Sequence, residues 1–214
     1  DGVYRFDGKS FESFRKNHLD SNTIRENFIF DIALGEGEDL YISTFHGGID
    51  VINTRTLKVA HLLSNADERE DSLPNLWINE IYFDQHKQLW IGGEDYLVVY
   101  NTQTRKTRRF RSTEEIGDNI NVAFIRSTND SMIAVGAVNN GILVFDPLEF
   151  KLLGQINNLG ERAASGKITA SDMVVGNTNC FISSGSAVYA GKIIKGKWQF
   201  QKEYSPGILK ENVI

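Results

Sequence analysis

The sequence predicts an all-β chain assembled from copies of one four-stranded antiparallel unit, on three observations. The first is internal repetition: segments starting at Ile29, Ile78, Val122 and Ala170 share one apolar spacing and begin 49, 44 and 48 residues apart. The second is punctuation, since Gly is frequent at 19 and Pro scarce at 3, a balance that suits tight turns better than linkers. The third is that no stretch shows the 3.6-residue amphipathic period, so very little helix is expected. A period in the forties made of short strands points to the blades of a β-propeller.

The repeat is read from "INEIYFDQHKQLWIGG", where Ile78, Ile81, Leu89, Trp90 and Ile91 precede Gly92 and Gly93. "IFDIALGEGEDLYIST" places Ile29, Ile32, Leu40, Tyr41, Ile42, Ser43 and Thr44 at the same spacing without a gap. "VAFIRSTNDSMIAVGA" does so with Val122, Ile125, Ile133, Ala134, Val135, Gly136 and Ala137, and "ASDMVVGNTNCFISS" is a fourth copy, one residue shorter in its turn. Each unit reads as strands a to d. In the second these fall near 77–83, 88–93, 97–100 and 106–111. Strand b is a continuous apolar run, the pattern of a strand buried on both faces. The small residues Ser43, Gly92, Gly136 and Ser183 are expected where neighbouring sheets approach near the axis. Strands c and d join at "NTRT", "NTQT" and "DPLE", each opening on an Asn or Asp that can bond the backbone two residues on.

In order, residues 1–14 read as the outer, c–d half of a preceding blade. Residues 15–62, 63–111, 112–156 and 157–204 read as four blades, and 205–214 as the start of the next, because "LKENVI" resembles "IRENFI". The expectation is an arc of about four blades with partial blades at both ends, a fragment of a larger propeller. A closed five-bladed ring would need an inner strand from beyond Ile214. The remaining blades are the expected partner of the end faces, which should otherwise expose apolar side chains.

Composition narrows the function. Hydrophobic residues at 41% and charged residues at 24% describe a globular chain. A net charge of −5 gives no electrostatic reason for a nucleic-acid partner. The basic run "RKTRRFR" (105–111) falls on outermost strand d, where Lys and Arg block edge-to-edge pairing. No apolar run nears the roughly 18 residues of a spanning helix, so this segment is expected to make no membrane contact. Cys180 stands alone and leaves the redox compartment open. His18, His46, His61 and His86 lie on separate turns or strand ends without ligand spacing, so neither metal nor cofactor is expected. "GEGED" lacks the oxygen pattern of a calcium loop, "SSGSAVYAG" the order of a nucleophile elbow, and "DGKS" the upstream glycine of a phosphate loop. "NADERED" reads as a solvated loop.

"QLWIGG", with Ile78, Ile81 and Asp84 upstream and "VVYN" downstream, resembles the two-component-regulator propeller repeat, as does "GVYRFDGKSFESF". That family forms the extracytoplasmic sensor region of bacterial hybrid histidine kinases. The resemblance implies a periplasmic, non-enzymatic segment that senses an oligosaccharide or similar small ligand and signals to a kinase elsewhere, with a homodimer in the parent receptor. The alternatives are a protein-interaction scaffold and, third, a propeller carbohydrate-active enzyme.

The d–a and b–c connections emerge on one face of a blade, and here they are the long, irregular ones, including "SNADEREDSLPN" and "STEEIGDN". Irregular loops on a rigid scaffold are where binding usually sits. The b–c loops offer Phe45, His46, Asp95, Tyr96, Asn139 and Asn140, and the approaches to strand a offer Arg25, Asn27 and Trp77. Aromatic faces beside amides and carboxylates suit sugar rings, which combine apolar C–H faces with hydroxyl rims. His46, Trp77, Asp95 and Tyr96 head this set.

Overall fold

The computed structural model describes residues 1–64, 72–74, 77–110, 116–117, 120–128, 131–138, 140–157, 170–176, 179–184, 187–194 and 197–204. They contain eighteen strands and no helix. Asn139, residues 205–214 and most of the two long loops named above fall outside this set. The chain divides into two compact units, Asp1–Arg109 and Phe110–Ile214.

The first unit opens with β1 (Val3–Phe6) and β2 (Phe11–Phe14), a two-stranded antiparallel sheet. The next sheet holds β3 (Ile29–Leu34), β4 (Asp39–Thr44), β5 (Gly48–Asn53) and β6 (Val59–Leu63), hydrogen-bonded in chain order. β7 (Ile78–Phe83), β8 (Gln88–Gly93), β9 (Tyr96–Asn101) and β10 (Lys106–Phe110) repeat it, with the unit division at the end of β10. The second unit holds β11 (Val122–Ser127), β12 (Ile133–Ala137), β13 (Gly141–Asp146) and β14 (Lys151–Ile156), then β15 (Ala170–Val175), β16 (Cys180–Ser184), β17 (Ala187–Ile194) and β18 (Lys197–Tyr204). These are four propeller blades and part of another.

The turns follow the repeat closely. A backbone bond closes every a–b hairpin at one repeat position: Gly35 to Asp39, Asp84 to Gln88, Thr128 to Met132 and Gly176 to Asn179, the last turn shorter by one residue. In the c–d turns the Asn or Asp side chain caps as expected. Asn53 Oδ1 accepts from Thr56 N–H, Asn101 Oδ1 from Gln103 and Thr104, and Asp146 Oδ1 from Leu148 and Glu149. The Thr that follows Asn ties this turn to the a–b turn, Thr54 to the Glu38 carbonyl and Thr102 to that of Lys87. Four residues past each cap, Leu57, Arg105 and Phe150 take positive φ of 60°, 58° and 51°, a left-handed state that costs a non-glycine residue roughly 1–2 kcal/mol.

Sheets pair through their first strands, β3 against β7 in one unit and β11 against β15 in the other. At the first seam Asp31 Oδ2 accepts the Ile81 N–H at 2.9 Å, and Tyr41 stacks on Phe83 at 5.5 Å. At the second, Arg126 Nη2 donates to Asp172 Oδ1 at 3.0 Å over a core of Phe124, Ile142, Met173, Cys180 and Ile182. Strand b is buried along its whole length in β8 and β12, whereas in β16 Phe181 is exposed.

The small residues of strand b stand opposite an irregularity in strand a. Each strand a carries a bulge after its first residue, and Asp31, Glu80, Phe124 and Asp172 just beyond it pair with Ser43, Gly92, Gly136 and Ser183 of the same sheet. A Cβ on Gly136 would lie 2.1 Å from the Phe124 ring. The Ser43 and Ser183 hydroxyls instead donate to the Asp31 and Asp172 carbonyls, both at 3.3 Å. Small side chains thus accommodate the bulge within each sheet.

Candidate functional site

The ends of strands a and b present a recurring arrangement. The backbone bonds Phe45 to Phe28, Glu94 to Trp77 and Val138 to Asn121 join equivalent residues just outside the a–b ladder in three sheets. Packing of β3 beside β7 then brings the aromatic residues of two sheets into one cluster. Phe45 lies 5.5 Å from Trp77 at 83°, His46 lies 5.1 Å from Trp77 at 70°, and Phe45 meets His46 at 4.1 Å. Phe28 and Phe30 extend the cluster through contacts with Phe45 at 5.8 and 5.9 Å. Edge-to-face packing of this kind fixes the rings against one another, yet Phe28, Phe30, Phe45 and Trp77 remain 36–57% exposed. Rings held in this way and open on one side can stack against an apolar face of another molecule.

Of the residues put forward from sequence, Phe45, His46 and Trp77 stand together here. Asp95 is exposed in the β8–β9 turn, whose Glu94 N–H bonds the Trp77 carbonyl at 3.2 Å. His46 and Asp95 take the same left-handed conformation, φ 55° and 66°.

Others are committed elsewhere. Arg25 donates from Nε to Asp50 Oδ1 at 2.6 Å and from Nη2 to the Ile49 and Leu63 carbonyls at 2.5 and 3.0 Å, while its N–H bonds Asp50 Oδ2 at 2.7 Å. Asp50 is fully buried. His61 closes the network, Nδ1 lying 2.9 Å from Asp50 Oδ1 and Nε2 2.9 Å from the Ser21 carbonyl. Arg25 therefore spends its guanidinium donors inside the fold, with its side chain only partly exposed. Asn27 gives its side-chain oxygen to the Lys16 N–H and its carbonyl to the Gly2 N–H. Beside it the Glu26 carboxyl is held below its usual range by the Asn27 backbone N–H and then by Lys16. Asn140 belongs to the second unit, where its carbonyl accepts from Gln155 Nε2 at 2.7 Å.

Tyr96 needs correction. It is the first residue of β9 and its ring is core, 1% exposed, so it offers no face to a ligand. The β4–β5 and β12–β13 turns span three residues and close on Gly48 and Gly141, whereas β8–β9 turns in two and seats Tyr96 at the closing position. A Cβ on Gly93 would stand 2.3 Å from that ring; glycine there makes room for it. Burial raises the Tyr96 phenol, and its hydroxyl has no hydrogen-bond partner among the described residues. Tyr96→Phe is therefore expected to leave stability unchanged or raise it by up to about 1–3 kcal/mol, the cost of an unmet buried polar group, checked by urea denaturation. A loss of stability would mean that the hydroxyl is satisfied by bound water.

Phe28 and Phe30 were missed from sequence. The signal was present for Phe28, which sits one residue before Ile29 as Trp77 sits one before Ile78.

No family model matches the chain, and no curated protein matches its sequence. Solved structures match its fold. The extracellular domain of BT4673 from B. thetaiotaomicron, described in one structure as a one-component system, aligns with a TM-score of 0.70 at 19% identity, over 95% of this chain and 25% of that one. A second BT4673 structure, described as a hybrid two-component system, gives 0.71 at 18%, over 95% and 25%. The extracellular domain of the hybrid two-component system BT3049 from the same organism gives 0.72 at 14%, over 92% and 27%. The chain thus spans about a quarter of the length of these structures, and at such identity the likeness establishes the fold.

Proposed function

We propose that this chain is a ligand-sensing propeller segment of an extracytoplasmic receptor, and that the Phe45–His46–Trp77 platform holds a sugar ring of an oligosaccharide. In this reading the segment is periplasmic, carries no catalytic role, and signals to a histidine kinase domain outside these residues. The observation that carries the reading is the exposed ring cluster itself, fixed by edge-to-face contacts at the ends of paired strands yet open to solvent. The fold likeness to extracellular domains of hybrid two-component systems supports the sensor context. A carbohydrate-active enzyme fits less well. Glu94 and Asp95, in the turn that bonds the Trp77 carbonyl, follow one another in the chain, whereas glycosidic cleavage needs a pair facing across a cleft.

The test is calorimetry of the intact receptor against a panel of oligosaccharides. Removing one aromatic face forfeits roughly 1.5–3 kcal/mol of burial, so Trp77→Ala is expected to weaken the binding sugar by about ten- to a hundredfold. Unchanged affinity in both Trp77→Ala and Phe45→Ala, or a ligand seated away from this cluster, would overturn the assignment.

A further inference from the structure

Two repeat positions, the residue before strand a and the residue after strand b, face each other across the ladder. The Ile29–Thr44 register carried one residue outward sets Phe28 opposite Phe45, and the Ile78–Gly93 register sets Trp77 opposite Glu94. One backbone bond holds each pair, from the Phe45 N–H to the Phe28 carbonyl at 2.8 Å and from the Glu94 N–H to that of Trp77 at 3.2 Å. Directly opposed residues of antiparallel strands carry their side chains on one side of the sheet, with Cβ atoms roughly 4.5–5.5 Å apart. The Phe28 and Phe45 rings meet at 5.8 Å in keeping with that geometry. The same register puts the Glu94 carboxylate on the side of its sheet that the Trp77 ring occupies. Three of these four positions are rings and the fourth is an acid, and all four are exposed.

The charge along this row is one-sided. Glu94 and Asp95 are both carboxylates of the exposed β8–β9 turn. Ahead of β3, the Arg25 guanidinium is bound to buried Asp50, and Lys16 pairs with Glu26 at 3.1 Å. An anionic group on a ligand would meet like charge beside Trp77. A cation would meet an opposite charge there, next to an indole, the aromatic ring that attracts cations most strongly.

We propose that the sugar held on this platform is an amino sugar with its amine unacylated, the ammonium group seated between the Trp77 ring and the Glu94 carboxylate. The inference rests on the platform reading above and adds the ligand's charge to it. The apolar C–H face of the sugar lies on the rings while Glu94 accepts from the ammonium N–H groups, a charge-assisted bond stronger than one from a neutral donor. Glu94 is then the residue that selects a free amine over an acetamide, which carries no charge and a single N–H.

The test is calorimetry of the intact receptor with paired oligosaccharides: glucosamine oligomers of the chitosan type and their N-acetylated twins, and galactosamine oligomers and theirs. The titrations are run at about pH 7, where an amine of ordinary basicity keeps its proton. An amine-bearing member is expected to bind about tenfold tighter than its twin. That preference should shrink as salt rises past about 0.1 M, where exposed charges are screened. Glu94→Gln is expected to erase the preference while leaving the twin's affinity unchanged, and Trp77→Ala to weaken both members. Three results overturn the inference: a twin that binds as tightly as its amine, a preference that survives Glu94→Gln, or no binding by any amine-bearing member. The platform reading fails separately. It falls where Trp77→Ala leaves every binding member's affinity unchanged, and it stands where Trp77→Ala weakens a pair that shows no amine preference.

Discussion

Trp90→Ala is expected to destabilise the chain by about 3–5 kcal/mol, the range for a large aromatic removed from a core. Trp90 is fully buried in β8 with apolar neighbours on both sides of it in sequence. Its indole N–H also donates to Asp84 Oδ2 at 2.8 Å, while Asp84 Oδ1 accepts the N–H groups of His86 and Gln88. One carboxylate therefore locks the a–b turn and anchors the ring beneath it. Trp90→Phe keeps much of the volume but strands one carboxylate oxygen, so a smaller loss of about 1–3 kcal/mol is expected. Urea denaturation measures both. An alanine variant melting within a degree or two of the parent would mean that Trp90 does not hold the second sheet together.

Arg25→Ala is expected to cost about 3–5 kcal/mol, because it leaves a buried carboxylate short of its cation. The value should fall low in that range, since the Arg25 side chain is 23% exposed and His61 still bonds Asp50. Four hydrogen bonds run from Arg25 to Asp50, Ile49 and Leu63, three of them through the guanidinium, so the loss should appear as a lower denaturation midpoint. A double variant, Arg25→Met with Asp50→Leu, removes both charges together and is expected to be less destabilised than the sum of the two single changes. Strict additivity would show that the pair is not coupled. Loss of ligand affinity at unchanged stability would instead return Arg25 to the binding surface.

These two residues mark the boundary of what could be read without coordinates. Trp90 was legible because its neighbours repeat: the Leu-Trp-Ile run recurs as Leu40-Tyr41-Ile42 and Ile133-Ala134-Val135, and such a run has no solvent face. Arg25 was not legible. A charged residue ahead of a strand is ordinarily exposed, and its buried partner Asp50 sits amid the apolar run of β5, 25 residues on in sequence. Tyr96 failed for a related reason, since a turn one residue shorter moves an aromatic from rim to core while leaving the local sequence looking like a loop.

The sequence by itself determined the all-β class, the four repeated units, the place of each hairpin and the residues that cap the turns. All of these depend on spacing and on side chains bonding their own backbone a few residues away, which is information local to the chain. Only the tertiary structure decided which polar side chains are consumed inside the fold, why strand b needs small residues, and which aromatics meet. Phe28, Phe45 and Trp77 are up to 49 residues apart in sequence and share one platform because β3 packs against β7. Whether a side chain is core or rim depends on what covers it, and cover comes from residues distant in the chain.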